Sequence, residues 1–429
     1  MSRIKGLLAH RLFAVFFIFC LICLVFFPIL QKKNIVYQHF YELEPQLQQV
    51  IRDQLDQQVS KTDHLWTDFE FQYKKDHYHV ELSIDHQWQE YLHQLILQYQ
   101  SDYTAIVILE NESGKILAAL DHEKARNQFG KKVVFSSTSP AASLVKVITA
   151  AELMEEALLD PMDQFNYTGK PYTLYKHQLE EKKHNRWTRS LTFKRAFEMS
   201  NNVIFGKAAQ LHTTERGLLS AAQKFGFNSE IISELSAGKS YFPLPKDRYN
   251  LAELASGLNR VTLMSPAHAA KIAMIMANHG EKFSLSIVNS VKKNGKLFYE
   301  NNGPKNRQRV VSEKSALKIR DLMEGVIQSG TARALSRQIN AKIRNELKIG
   351  SKSGSMTGGL PYGKRDWLIS YIQPKEMNSM GISLAVMIVN KDKWYTKSSF
   401  LTQNIVKHYY KQLMTDQVQT QMAASQKEE

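Results

Sequence analysis

Cysteine is nearly missing from this chain: there are two in 429 residues, Cys20 and Cys23, and both fall in one apolar run near the N-terminus. Everything after Cys23 therefore offers no thiol to a nucleophile, a thiolate metal site or an internal disulfide, and a chain of this length buries enough surface to fold without one. Also missing are the Gly-x-Ser-x-Gly elbow, the His-Glu-x-x-His zinc helix and the Gly-x-Gly-x-x-Gly loop. "DHEKAR" around His122 begins like a zinc helix but brings no second histidine, and the 14 histidines show no ligand spacing, so no metal and no cofactor are expected. Carboxylates are fewer than cations, 41 against 56, for a net charge of +15. The lysines and arginines are scattered along the chain, which reads as a solvated basic surface rather than a nucleic-acid stripe. No internal repeat is present.

The hydrophobic share of 43% and charged share of 23% are those of a globular protein with a real core. One long apolar run occurs. From Leu12 to Leu30 no residue is charged, and a helix of about 20 such residues crosses a bilayer. Arg3, Lys5 and Arg11 precede it, so the positive-inside rule leaves residues 1–11 in the cytoplasm; Lys32 and Lys33 follow it. "PILQKKN" offers no small-residue cleavage site, which favours an uncleaved anchor over a signal peptide. Beyond the anchor, residues 34–77 read as a short stalk, with a polar helix over Tyr41 to Lys61.

Alternation in Phe69, Phe71, Tyr73 and again in Tyr78, Val80, Leu82, Ile84 predicts a hairpin around "KKDH". A helix bearing Trp88, Tyr91, Leu92, Leu95, Ile96 and Tyr99 follows, then two apolar strands around Gly114. From Ser143 to about Gly280 the chain is mainly helical; "SPAHAAKIAMIMANHG" has Ser265 as cap, Pro266 at the first position and Gly280 as terminator. A hairpin at Asn294-Gly295, a helix near Glu313 to Gln328, and three strands complete the order. The domain is placed at 78–413 and the polar end, 414–429, is expected to be disordered. Strands first, helices in the middle and strands last predict an α+β fold: an antiparallel sheet with helices packed on it and both chain ends contributing strands.

Ser-x-x-Lys occurs five times, and four copies have bland settings: the tip (Ser2/Lys5), a turn (Ser236/Lys239), a hairpin flank (Ser290/Lys293) and a charged helix start (Ser315/Lys318). Ser143/Lys146 differs. Ser139 and Pro140 read as a helix start that puts Ser143 in the first turn, where positions i and i+3 share a face and free N–H groups favour negative charge. Apolar neighbours on both sides would bury the pair, lowering the lysine's pKa until it can act as a base to the serine. Ser-x-Asn occurs once, at Ser200 and Asn202, 57 residues after Ser143; Lys-[Ser/Thr]-Gly occurs once, at Lys352-Ser353-Gly354, 152 residues after Ser200. Each of these has an ordinary reading alone, a helix cap for Ser200 or Asn202 and an edge-strand lysine for Lys352.

The trio in this order resembles the penicillin-binding protein transpeptidases and the wider family that includes the serine β-lactamases. The resemblance covers about residues 78–413, through "VELSIDHQWQ", "IVILENESGKILAAL", "GLNRVTLMSPAHAAKIAMIMANHGE", "LMEGVIQSGTARAL" and Trp367 in "DWLISYI". It implies a five-stranded antiparallel sheet with helices on both faces and an all-helical subdomain. It further implies Ser143 as nucleophile on the D-Ala-D-Ala bond of a peptidoglycan stem peptide, with Lys146 as its base. Ser200 would pass a proton to the leaving amine, and Asn202 would orient Lys146 and a substrate amide. Lys352 and Ser353 would hold the terminal carboxylate beside Gly354, with an oxyanion site at the N–H groups of Ser143 and Ser355. β-Lactams would acylate Ser143. The location implied is the bacterial cytoplasmic (inner) membrane, catalytic domain outside. The sequence departs from the family in Pro140-Ala-Ala-Ser143, where Pro-Gly-Ser is common, and in Lys-Ser-Gly-Ser for Lys-Thr-Gly-Thr. The segment between anchor and domain is too short for a glycosyltransferase or a large non-catalytic domain, so a monofunctional enzyme relying on a separate glycan polymerase is expected. A D,D-carboxypeptidase or endopeptidase of the same fold, or a non-catalytic β-lactam-binding sensor or scaffold, stays open; a β-lactamase is disfavoured by the long second gap and the lack of a clear deacylating glutamate. The aromatic and basic run "YTLYKHQLEEKKHNRW" suits a groove wall facing anionic wall polymer better than nucleic acid.

Overall fold

The computed structural model describes residues 36–428, apart from 62–64, 100, 181–184, 377, 378, 380 and 393–395. The expected anchor over 12–30, the tip 1–11 and both cysteines lie outside the described residues. Among the described residues no helix is long and apolar enough to cross a membrane.

The segment expected to be a stalk is part of the folded unit. In helix α1 (Pro45–Ser60) Leu47, Ile51 and Leu55 recur every fourth residue on one face of an otherwise polar helix, and all three are buried. Arg52 Nε donates to Ser233 O at 2.7 Å, and the Asp56 carboxylate accepts from Ser236 N and Oγ. Trp66 is wholly buried and donates from Nε1 to Ala119 O at 3.0 Å. Strand β1 (Phe69–Tyr73) pairs antiparallel with β2 (Asp76–Leu82), so a domain boundary at 78 cuts this hairpin. A stripe one residue wide, set in a run of Gln and Asp, is too narrow to announce a buried helix.

Asp85 caps α2 (His86–Gln98) by accepting from the N–H groups of Gln87 and Trp88. Strands β3 (Tyr103–Glu110), β4 (Ile116–Glu123) and β5 (Gln128–Gly130) come next, followed by the helical block, whose main members are α3 (Lys146–Glu155), α4 (Asn202–His212), α5 (Arg248–Ser256) and α6 (Pro266–Ala277). β6 (Val288–Lys293) and β7 (Lys296–Glu300) turn through Asn294 and Gly295, both at positive φ as a two-residue hairpin loop requires. Helix α7 (Glu313–Gln328), strands β8 (Leu347–Thr357), β9 (Lys364–Pro374) and β10 (Ile382–Asn390), and helix α8 (Ser398–Glu428) end the chain. The end expected to be disordered continues α8 as helix.

The main sheet has the order β8-β9-β10-β3-β4-β5, antiparallel throughout. It has six strands rather than the expected five; the extra one is β5, three residues that close against the end of β4. Every residue of β10 is buried, so the sheet is covered on both faces. A second sheet, β1-β2-β6-β7, joins the N-terminal hairpin to the later one.

Helix α6 is buried along its whole length, Lys271 included. Burial pushes the Lys271 amine down to about 7, against about 10.4 in an unfolded chain. Between those values the unfolded chain binds more protons, so stability rises with pH; below about 7 the folded state carries the full cost of a buried charge. Lys271→Met is therefore expected to raise the unfolding midpoint at about pH 6 and to give a smaller gain at about pH 9.5. Equal gains at the two pH values in urea melts would refute this.

Candidate active site

Ser139 and Pro140 do not start a helix. They pair with Leu263 and Met264 in a short antiparallel ladder, and the Pro140 carbonyl accepts from Trp367 Nε1 at 3.1 Å. The chain then turns sharply. Ala142 has φ +49, and Ser143 sits in a 3-10 turn, Ala142–Val145, that leads into α3 at Lys146. Left-handed backbone at a residue with a Cβ costs roughly 1–2 kcal/mol. Ala142→Gly is expected to stabilise the protein by up to about 1 kcal/mol, less than the strain because glycine also loosens the unfolded chain. A lowered melting temperature would mean that the buried Ala142 methyl packs better than it strains.

Lys146 is fully buried, its Nζ 2.8 Å from Ser143 Oγ, 2.7 Å from Asn202 Oδ1 and 2.6 Å from Ser256 O. Burial first, and the charge of Lys352 second, hold its amine well below the ordinary lysine range. A neutral amine has two N–H bonds and one lone pair. Asn202 Oδ1 and Ser256 O can only accept, so they take the two N–H bonds and leave the lone pair for the Ser143 hydroxyl. Asn202 is free for this because its neighbour does the capping: Asn201 Oδ1 accepts from Ile204 N at the start of α4. Asn202 Nδ2 donates to Tyr172 O at 2.9 Å. Gly257, at φ +71, ends α5 and leaves the Ser256 carbonyl unbonded by the helix.

Strand β8 passes directly beside the turn. A Cβ on Gly354 would stand 3.3 Å from Ser143 N and 3.4 Å from Ala142 Cβ. Buried Lys352 reaches under the site: its Nζ donates to Ser200 Oγ and to Ser353 O, each at 3.1 Å. Burial pushes it down to about 7. Ser353 Oγ lies 2.6 Å from Thr331 Oγ1, while Ser355 is exposed two residues along the same face. These groups line one cleft of about 340 Å³, with Ser143, Ser200, Asn202, Ser353, Gly354 and Ser355 all in its wall.

All eight residues expected from the sequence thus converge, with Lys146 and Lys352 beneath the floor. Four contributors went unread: Ser256, whose carbonyl holds Lys146; Thr331, against Ser353; and Tyr172 and Asp366 in the wall. Gly257 after a helical run was the available signal for Ser256, since a glycine there leaves carbonyls to be bonded elsewhere. Thr331 lies in the noted Gly-Thr-Ala segment. Asp366 accepts from Ser398 N and Oγ at the start of α8, a contact across 32 residues that no local pattern encodes.

A family model described as the penicillin binding protein transpeptidase domain matches residues 104–411. No curated protein matches the chain significantly in sequence. Among solved structures it is similar to the D,D-transpeptidase domain of a peptidoglycan glycosyltransferase from Eggerthella lenta: TM-score 0.61 at 20% identity, over 78% of this chain and 83% of that one. It is similar to penicillin-binding protein A from M. tuberculosis in its imipenem acyl-enzyme complex, with TM-score 0.61 at 20% identity over 77% and 79%. Penicillin-binding protein 2B from Streptococcus pneumoniae matches with TM-score 0.61 at 15% identity over 78% and 60%.

Proposed function

The chain belongs to the penicillin-binding protein transpeptidase family, and from that premise we propose that it is a monofunctional, membrane-anchored D,D-transpeptidase that cross-links peptidoglycan stem peptides and is inhibited by β-lactams. The observation that carries this reading is Lys146 Nζ at 2.8 Å from Ser143 Oγ, its other two contacts being acceptors.

Ser143 Oγ attacks the carbonyl of the D-Ala-D-Ala amide while its proton passes to Lys146. The tetrahedral oxygen sits between the N–H groups of Ser143 and Ser355; one such donor is typically worth about 3 kcal/mol in the transition state. Ser200, held by Lys352, relays a proton to the leaving amine as the C–N bond breaks. Lys352 and Ser353 present charge and a hydroxyl to the terminal carboxylate. An amine of a neighbouring stem then displaces Ser143 from the ester. A β-lactam presents the same carbonyl and leaves an ester on Ser143. The apolar run 12–30 supports an anchor in the bacterial cytoplasmic membrane with this domain outside, and a separate polymerase would supply the glycan.

The test is covalent. The full chain in detergent is mixed with labelled penicillin, digested, and the adduct located by mass spectrometry. A long-lived adduct on the Ser143 peptide is expected. Rapid hydrolysis would point to a β-lactamase, and no adduct on a folded protein would sink the reading. Supplied with stem peptide and an amine acceptor, the enzyme should give cross-linked product; trimmed peptide alone would make it a carboxypeptidase.

A further inference from the structure

One wall of the cleft continues outward from Tyr172 into a surface that the chemistry at Ser143 does not use. Tyr172, in the cleft wall, and Tyr175 and Trp187, later in the same segment, are 64%, 58% and 65% exposed. Exposed aromatics scattered singly need no explanation, but these three share one short run and have cations beside them. Lys170 lies 5.9 Å from the Tyr172 ring and Arg186 4.8 Å from that of Trp187. Lys176 and Arg189 stand against the rings of Tyr249 and Tyr167. All four cations are exposed, and among the described residues none is ion-paired; the run carries two carboxylates, Glu180 and Glu181.

The surface is fixed, and fixed to the site. Buried Gln178 donates from Nε2 to Thr168 O at 2.9 Å and accepts at Oε1 from Tyr175 N at 2.9 Å. Tyr249 OH donates to Leu174 O at 2.8 Å. Asn202, which holds Lys146, binds the same run twice, through its N–H to Pro171 O at 2.7 Å and through Nδ2 to Tyr172 O. A substrate held on this segment at Tyr172 would already be at the cleft.

We propose that the wall binds the glycan strand from which the stem peptide hangs. The C–H faces of the sugar rings lie on Tyr172, Tyr175 and Trp187, and carboxylates of stems along the strand meet the exposed cations Lys170, Lys176, Arg186 and Arg189. This rests on the peptidoglycan reading above. It would let a reaction on one stem draw on contacts to the polymer far from the bond that breaks.

Co-sedimentation of the full chain, in detergent, with purified peptidoglycan sacculi tests it. Tyr175→Ala/Trp187→Ala and Lys176→Gln/Arg186→Gln are each expected to weaken sacculus binding about tenfold. Penicillin acylation of Ser143 should keep the parental rate in both. Parental binding should fall as salt rises, and fall less in the Lys/Arg pair. Soluble glycan fragments carrying stems should displace the parent from sacculi, whereas stem peptide without sugar should not. Parental sacculus binding in both pairs, or equal displacement by bare stem peptide, would overturn the proposal. Loss of sacculus binding in a chain that penicillin never acylates would leave the wall standing and reject the chemistry instead.

Discussion

In Lys146→Met, acylation by penicillin is expected to slow by about 10³-fold or more, with little change in stability. The Ser143 hydroxyl then has no lone pair to receive its proton, because the other contacts of that amine are a carbonyl and an amide oxygen already pointed at it. Two opposed contributions act on the fold. Asn202 Oδ1 and Ser256 O lose their donor, at about 1–3 kcal/mol for each acceptor left bare. Against that, a wholly buried amine no longer has to leave water. Methionine has a similar volume and fills the space. Lys146→Arg should fail equally, since a guanidinium does not give up its proton. In the parent, acylation should also decline as pH falls and Lys146 gains a proton, a limb that Lys146→Met should lack. Burst kinetics across pH, beside thermal melts, decide the matter: a Met variant acylated within tenfold of the parent would remove Lys146 from the base role.

Gly257→Ala is expected to do comparable damage by steric means alone. A Cβ there would overlap the Ala142 carbonyl oxygen and stand 2.5 Å from Ala142 C and 3.1 Å from Ser143 N. These are backbone atoms, which cannot swing aside as a side chain does. The φ of +71 adds strain for any residue with a Cβ. Either the domain loses about 3 kcal/mol or more, or the turn carrying Ser143 shifts and acylation falls about 10²-fold, as misplacement of order 1 Å does. Gly295→Ala is the control. Its φ is +78, but a Cβ there meets nothing within 4 Å, so backbone strain alone, roughly 1 kcal/mol, is expected. Equal effects at the two glycines would mean that the contact between α5 and the Ser143 turn does not matter.

What the sequence made legible depended on how local the cause is. The hairpin at Asn294-Gly295, the Ser265 cap of α6 and the bounds of α7 follow from a few adjacent residues and stand as read. The three motifs that converge on the cleft were readable because each is short and their order is informative. The Ser139-Pro140 signal misled because its local meaning, a helix start, lost to a distant partner: Leu263 and Met264 claim that backbone as a strand. Helix α1 was legible as a helix, but its burial was hidden by composition, its Leu47, Ile51 and Leu55 outvoted by glutamines. Ser256 acts through a carbonyl, and a carbonyl has no letter of its own. The bent approach at Ala142 is likewise invisible, because that backbone favours glycine and alanine gives no sign of it.

The place of β3 in the main sheet bears on how the molecule comes to exist. Ile382 pairs with Glu110, 272 residues earlier. A nascent chain thus holds the strand Ile106-Val107-Ile108 for most of its synthesis with one edge open, the condition under which apolar strands join the wrong neighbour. Pairings this distant in sequence also fold slowly, since the loop must close before any contact repays it. Lys352, Ser353 and Gly354 arrive on the same late block of strands. Ser143 therefore waits, through about half of the chain's synthesis, beside a strand that has not yet been made.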